Sequence, residues 1–245
     1  MRDLLWLTRY GPEGASSRYR SFQLDAGLRG NGAASRFEPM APWRGSRAAQ
    51  ARGVARRMWQ LGARTPGPPP SAIVVQKEPV VPPSLFVGLP RPLRTSAPVI
   101  WDIDDAVWIG RRGAHAMAVK MCRRSDVVVA GNELLAAWAR SHGAHSIVIP
   151  TCCPPPALSD GDDSPRASDQ IHLLWIGSPA TSRLLTAFGP VLDELFARLP
   201  QLRARFVGGR PPVELRGNPS VEFVEWSPDA ELAALRWAHY GLALQ

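Results

Sequence analysis

Lysine is nearly absent from this chain of 245 residues: only Lys77 and Lys120 occur, and every other basic residue is arginine. Lys+Arg total 29 against 21 Asp+Glu, a net charge of +8. A charge of that size can serve nucleic acid, an anionic membrane surface or a phosphate-bearing substrate. Here the basic residues are scattered and no run forms a basic arm. The accompanying wealth of Arg, Ala, Gly and Pro is what codon bias in a GC-rich genome produces. Nucleic acid is therefore not expected as a partner, while peripheral contact with a membrane surface stays open.

Cysteine is scarce too. Cys122, Cys152 and Cys153 are an odd number with one adjacent pair, which excludes a disulfide framework. Adjacent cysteines also miss the two-residue spacing of zinc knuckles, so free reduced thiols are expected. The five histidines show no metal spacing, and neither a metal nor a bound cofactor is expected. No apolar run reaches the ~18–20 residues of a membrane helix. The start, MRDLLWLTRYGPEG, lacks a full apolar leader and a small-residue cleavage site. A cytoplasmic protein is the expectation. There is no G-x-S-x-G elbow, no Walker loop and no G-x-G-x-x-G fingerprint.

What is present is a globular composition, with 45% hydrophobic and 20% charged residues and nine Trp. Short apolar runs alternate with longer helical stretches. Leu4–Leu7 reads as a strand, followed by a Gly/Pro loop at Gly11–Gly14 and a helix capped by Ser16-Ser17 and running to about Gly27. Ala33–Phe37 is a weak strand, and Ser46–Gly62 a helix ended by the turn Pro66–Pro70. Strands are expected at Ile73–Val75, Pro98–Ile103, Val127–Val129 and Ile147–Ile149, with a helix at Glu133–Ser141. This order indicates an α/β fold with parallel sheets covered on both faces.

Thr151–Gln170 breaks the composition with Pro154–Pro156 and SDGDDSPRASD, and reads as a linker. The expected division is a first domain over residues 1–150, a linker over 151–170 and a second, partial domain over 171–245. In the second domain, Ile171–Ile176, Leu202–Val207 and Val221–Val224 read as strands, and Thr181–Leu199 and Asp229–Trp237 as helices. Tyr240–Gln245 looks like the beginning of one more strand, so the second sheet is expected to be incomplete.

In open parallel sheets, ligands bind outside the carboxyl ends of the strands. Five segments qualify. In RYGPEGASSRYR, Gly11 and Gly14 permit close backbone approach, the helix start at Ser16-Ser17 offers N–H groups to an anion, and Arg18 and Arg20 can add phosphate contacts; the alternative is an ordinary strand–helix turn. In WDIDDAVW, Asp104 and Asp105 would point opposite ways in a strand. One can face a cleft as a general base or sugar ligand while the other caps the next helix, or both can simply solvate the strand end. Asn132 is equally a helix cap or a cleft contact. In WIGSPATSR, Gly177 is followed by Ser178, Thr181 and Ser182 before a long helix, suited to a diphosphate with Arg183 as counter-charge. In FVGGRPP, Gly208-Gly209 ends a strand and Arg210 can face a nucleotide. For the last two segments a bland turn is the competing reading.

Taken in order, ASSRYRSFQ, WDIDDAVW, SDVVVAGNELLAAWA, VIPTCCP, LLWIGSPAT, FVGG and VEFVEWSPDAELAAL resemble bacterial GT-B glycosyltransferases of the broad family-four type. The resemblance implies two Rossmann-like domains with a cleft between them. The first would hold a glycan, lipid-linked or small-molecule acceptor and the second a nucleotide-sugar donor. It places Gly11, Gly14, Ser17, Arg18 and Asn132 near the acceptor and the donor diphosphate, and Asp104 or Asp105 at the catalytic position. It sets Gly177, Ser178, Thr181 and Arg183 along the diphosphate, and Gly209, Arg210 and Trp226 near the base or ribose. The family continues beyond the equivalent of YGLAL with a donor-binding loop, a glutamate and a returning helix. Without them the chain is expected to be weakly active or inactive alone, or to serve as a non-catalytic binding module.

Overall fold

A computed structural model of the chain describes residues 2–40, 48–49, 51–53, 55–56, 70–78, 97–110, 112–152, 169–178, 181–209 and 212–243. It divides into two compact units, Met1–Pro154 and Pro155–Gln245.

The first unit is a six-stranded sheet. Its strands are β1 (Arg2–Leu7), β2 (Ala33–Phe37), β3 (Ala72–Gln76), β4 (Val99–Ile103), β5 (Val127–Ala130) and β6 (Ser146–Val148). They lie in the order β2-β1-β3-β4-β5-β6, and every pairing is parallel. Alternate residues build one core face: Leu5 and Leu7, Ile73 and Val75, then Val99, Trp101 and Ile103. Helices α3 (Ala114–Arg124) and α4 (Glu133–Ser141) cover it, with Met117, Met121, Leu135 and Ala139 in the same core. Helix α3 was not foreseen from the sequence.

The expected helix from Ser16 to Gly27 is broken. It forms α1 (Ala15–Arg20), a 3₁₀ turn (Phe22–Leu24) and α2 (Asp25–Gly30). Its N-cap is Gly14, not Ser16 or Ser17, because Ser17 is buried and turned toward the sheet. In the expected helix Ser46–Gly62, residues 48–49, 51–53 and 55–56 are helical, and the remainder lies outside the described residues.

The second unit holds β7 (Ile171–Ile176), α5 (Ser182–Arg198), β8 (Leu202–Val207), β9 (Val221–Val224), α6 (Pro228–Trp237) and β10 (Tyr240–Gly241). The sheet order is β10-β7-β8-β9, again all parallel. One face packs Trp175, Leu202, Ala204 and Phe206 against Leu185, Leu192 and Phe196 of α5. The other packs Leu174 and Val207 against Ala234 of α6. Ser227 caps α6 by accepting the Ala230 N–H at 3.1 Å, and Pro228 occupies the first turn, where its missing N–H costs nothing.

Both sheets reverse their strand order once. Successive crossovers run outward on either side of β1 and β3 in the first unit, and of β7 and β10 in the second. At such a switch point neighbouring loops diverge, leaving a crevice at the carboxyl ends of the two strands.

Candidate functional sites

At the carboxyl end of β4 the chain bends, and Asp104 and Asp105 leave the sheet together rather than to opposite faces. Both carboxylates turn to Lys77, the residue that follows β3: its Nζ lies 3.1 Å from Asp104 Oδ1 and 2.5 Å from Asp105 Oδ2. Ser16 Oγ donates to Asp104 Oδ2. Neither aspartate caps the next helix, whose N-cap is Gly113. Asp105 is 70% exposed while Asp104 is 16% exposed.

Lys77 adopts φ 56°, the only described non-glycine residue with positive φ. A side chain there costs on the order of 1–2 kcal/mol. The conformation is pinned from both sides: Lys77 N–H donates to Asp102 O at 2.8 Å, and Trp101 Nε1–H donates to Lys77 O at 2.8 Å. Burial works against the Lys77 charge, but the negative charges of Asp104 and then Asp105 outweigh it and hold its pKa above the ordinary lysine value.

One residue earlier, Gln76 Oε1 accepts the Arg9 N–H at 3.1 Å and the Ser17 hydroxyl at 2.7 Å. Ser17 Oγ in turn accepts the Tyr10 N–H at 3.1 Å. Adjacent serines thus tie the first turn of α1 to both clusters, Ser16 to Asp104 and Ser17 to Gln76. Ser17 is committed to this packing rather than to an open loop.

Arg20, expected as a phosphate contact, is instead buried in an ion pair with Asp102 at 2.5 Å. Arg18 stacks over the Tyr19 ring at 4.7 Å. Gly11 O accepts the Gly14 N–H at 3.1 Å, closing a tight turn before α1, and a Cβ on Gly14 would fall 2.8 Å from the Tyr10 Cβ. Asn132 is the N-cap of α4, accepting the Leu135 N–H at 3.0 Å.

In the second unit, Ser178 and Thr181 cap each other. Ser178 N–H donates to Thr181 Oγ1 at 2.9 Å and Thr181 N–H to Ser178 Oγ at 3.2 Å. Ser182 N–H takes Ser178 O at 3.0 Å. The N–H groups of Ser178, Thr181 and Ser182 are therefore satisfied within the loop rather than open to an anion. Ser178 is half-buried, Thr181 and, in the first turn of α5, Arg183 are exposed, and the Thr181 hydroxyl donates to Ser178 O at 3.0 Å.

The glycines beside this loop have a packing reason that the sequence did not disclose. A Cβ on Gly177 would lie 2.6 Å from Trp175 Cη2, and one on Gly209 would lie 2.5 Å from Trp175 Cζ3. The indole of Trp175 fills the space both leave. Gly208 has φ +84°, and a Cβ there would meet Gly177 O at 2.5 Å. Trp226 donates from Nε1 to Glu231 Oε2 at 2.6 Å and packs beside Leu174 and Val207. Arg210 lies outside the described residues.

Among the described residues, no group of three or more His, Cys, Asp or Glu side chains is placed to hold a metal ion. No described helix is long and apolar enough to cross a membrane.

No protein-family model matches the sequence, and no curated protein matches it either. Solved structures do. The S. aureus MnaA–UDP complex aligns with a TM-score of 0.61 at 10% identity, over 96% of this chain and 71% of that one. UDP-GlcNAc 2-epimerase from Neisseria meningitidis, bound to UDP-GlcNAc, aligns with 0.59 at 12% identity, over 98% and 77%. An alpha-glucosyltransferase in complex with UDP-glucose and DNA containing an abasic site aligns with 0.57 at 11% identity, over 98% and 71%. At these identities the likeness is one of fold, and that fold is the α/β architecture of parallel sheets known as GT-B.

Proposed function

We propose that the protein transfers a sugar from a nucleotide-activated donor to an acceptor hydroxyl, with the donor taken by the second unit and the acceptor by the first. One observation carries this reading. The hydrogen-bonded Ser178–Thr181 turn and the exposed Thr181 and Arg183 stand at the carboxyl end of β7, beside the switch point of the second sheet. A departing nucleoside diphosphate is an anion, and a guanidinium at a helix start stabilises such a leaving group. Gly209 and Trp226 stand at the ends of β8 and β9 along the same edge, and with Arg210 they are assigned to the base or ribose.

In the first unit, Asp104 is the candidate base. It takes the proton of the acceptor hydroxyl as that oxygen attacks the anomeric carbon, and the bond to the nucleoside diphosphate breaks with its electron pair. Ser16 and Lys77 hold the carboxylate in place. The likeness in fold to proteins solved with UDP, UDP-GlcNAc and UDP-glucose supports a uridine nucleotide as the first donor to try.

Isothermal titration of the full chain with UDP tests the donor half. Binding is expected, weakened about tenfold in Arg183→Ala, the scale of one charge-assisted hydrogen bond. Absence of binding to any nucleoside diphosphate refutes the reading. Binding without consumption of UDP-glucose or UDP-GlcNAc over a panel of acceptors assigns a binding module instead.

A further inference from the structure

His172, Trp237 and His239 form one stack on the second sheet. The His172 ring, near the start of β7, lies 4.2 Å from the Trp237 indole at 12° and 4.7 Å from the His239 imidazole at 10°. Trp237 ends α6 and His239 comes just before β10, so the stack gathers α6, β7 and β10. The hydrogen bonds fix where the ring protons sit. Trp237 O can only accept, so His172 Nδ1, 3.0 Å away, carries a hydrogen. The His172 backbone N–H can only donate, so His239 Nδ1, 3.2 Å away, carries a lone pair. His239 is therefore neutral while this bond is made. A proton on its Nδ1 would set two donors against each other and leave the His172 N–H unpaired.

The surroundings offer a further proton little support. Across the sheet His172 is level with Arg203 of β8, whose Nη1 donates to Pro200 O and Leu202 O at 2.9 and 2.8 Å and to Ser220 Oγ at 3.2 Å. Arg205 lies over the Trp237 ring at 4.3 Å and pairs through Nε with Glu222 of β9 at 2.8 Å. These neighbours bring two guanidiniums and one carboxylate, and that carboxylate is already paired. Among the described residues, no Asp, Glu or Cys joins the two imidazoles in a group that could hold a metal ion. His239 is exposed, so a proton from solvent reaches it. Beyond the stack, β10 is lightly held. It pairs with β7 at Tyr240–Leu173 and Gly241–Leu174, and the flanking His239 and Leu242 N–H groups donate to His172 O at 2.9 Å and Leu174 O at 2.7 Å. A segment tied by so few bonds opens locally, without the rest of its sheet.

We infer that the His172–His239 stack is a pH-sensitive latch: uptake of a proton by His239 breaks its bond to the His172 N–H and frees residues 239–242 from β7. The released form binds one more proton than the latched form, so release gains as pH falls. Histidine is the side chain that changes charge between about pH 5 and 8, which sets the working range. β10 is one of the two strands that flank the switch point of the second sheet, so its release opens the crevice on that side. The latch stands whether or not that crevice takes a nucleotide.

Hydrogen–deuterium exchange of the full chain at about pH 8 and pH 5.5, corrected for the intrinsic effect of pH on exchange, reads the latch through the amides of His239 and Leu242. Their protection is expected to fall at least tenfold at the lower pH, while the amides of β8 keep theirs. His239→Asn isolates the sensor. The asparagine Oδ1 still accepts the His172 N–H but takes up no proton, so protection should persist at the lower pH. Unchanged protection in the parent overturns the inference, as does a pH response that survives in His239→Asn. A loss shared by β8 is unfolding rather than release and overturns it too. If His239→Asn does not fold, or leaves the segment unprotected at both pH values, ring NMR of the parent decides. The proton must reach His239 Nδ1 over the same pH interval in which Leu242 loses protection, and titration of His239 over a different interval refutes the latch.

Discussion

Arg20 grips Asp102 across 82 residues of sequence: Nε donates to both carboxylate oxygens, at 3.1 and 2.9 Å, and Nη2 donates to Oδ1 at 2.5 Å. The remaining nitrogen, Nη1, reaches Ile149 O at 2.9 Å and Thr151 Oγ1 at 3.0 Å. One side chain on α1 thereby fastens β4 to the segment leaving β6, directly beneath the bend that presents Asp104 and Asp105. Burial opposes the charge of Arg20, but the hydrogen bond and charge of Asp102 hold the guanidinium firmly protonated. Burial also pushes the Asp102 carboxyl up, against the pull of Arg20.

Removing the arginine leaves a buried carboxylate alone. Arg20→Met should cost about 3–5 kcal/mol of unfolding free energy, the scale for breaking a buried pair from one side. Urea denaturation at pH 7 measures it. Asp102 in the variant relieves its burial by taking a proton, so the deficit should shrink as pH falls toward 5. A deficit that does not change with pH would mean that the arginine acts through packing rather than charge.

Lys77 contributes in the opposite pH range. Burial disfavours its charge, and Asp104 and Asp105 overcompensate, so its folded pKa lies above its unfolded one. A lysine raised in this way gives stability that is fully present below the unfolded value, about 10.4, and is lost as pH rises through the folded value. The difference in melting temperature between the parent and Lys77→Met should hold constant from pH 7 to about 10 and then close. Lys77→Gly should recover part of the loss, because glycine relieves the positive φ.

How much of this was legible turns on distance along the chain. The strands Ile171–Ile176 and Leu202–Val207 and the helix Glu133–Ser141 carry their signal in consecutive residues, and they form where the sequence indicates. Helix α3 was missed although Ala114, Met117, Ala118, Met121 and Cys122 have helical spacing, because its buried face uses small and soft residues instead of Leu or Ile. The break at Ser21 has no proline or glycine to mark it. The same rule that selected five loops should have selected Gln76-Lys77-Glu78, the end of a β-branched run holding one of two lysines in the chain. Partners such as Arg20 and Asp102, or Ser16 and Asp104, become visible only when sheet order and register are known.

The buried and exposed thiols should separate by reactivity. Burial raises Cys122 to about 11, leaving little thiolate at pH 8, whereas Cys152 is exposed. Peptide mapping after brief iodoacetamide treatment at pH 8 should find Cys152 alkylated and Cys122 intact, and Cys122 should react only once urea unfolds the first unit. Since the folded pKa is the higher one, this group adds stability below about pH 8.5 that is lost as pH rises toward 11. Early labelling of Cys122 would show that α3 opens readily from the sheet.

Trp175 and Gly177 test whether the glycines of the second unit serve packing or ligand approach. Gly177→Ala places a methyl 2.6 Å from Trp175 Cη2, and overpacking of this kind costs roughly 1–3 kcal/mol. Trp175→Phe removes the outer ring that causes the nearer clash, leaving the contact with Thr181 Oγ1 at 2.8 Å. The double variant Trp175→Phe, Gly177→Ala should therefore lose less stability than the two single losses added together, by about 0.5 kcal/mol or more. Urea denaturation of the four proteins measures the coupling, and UDP titration of the same four measures the ligand. A glycine needed for packing alone yields a double variant that regains both stability and UDP affinity. A glycine needed for the approach of the diphosphate yields one that regains stability and still binds UDP weakly, because the added methyl then stands against the ligand instead of the indole.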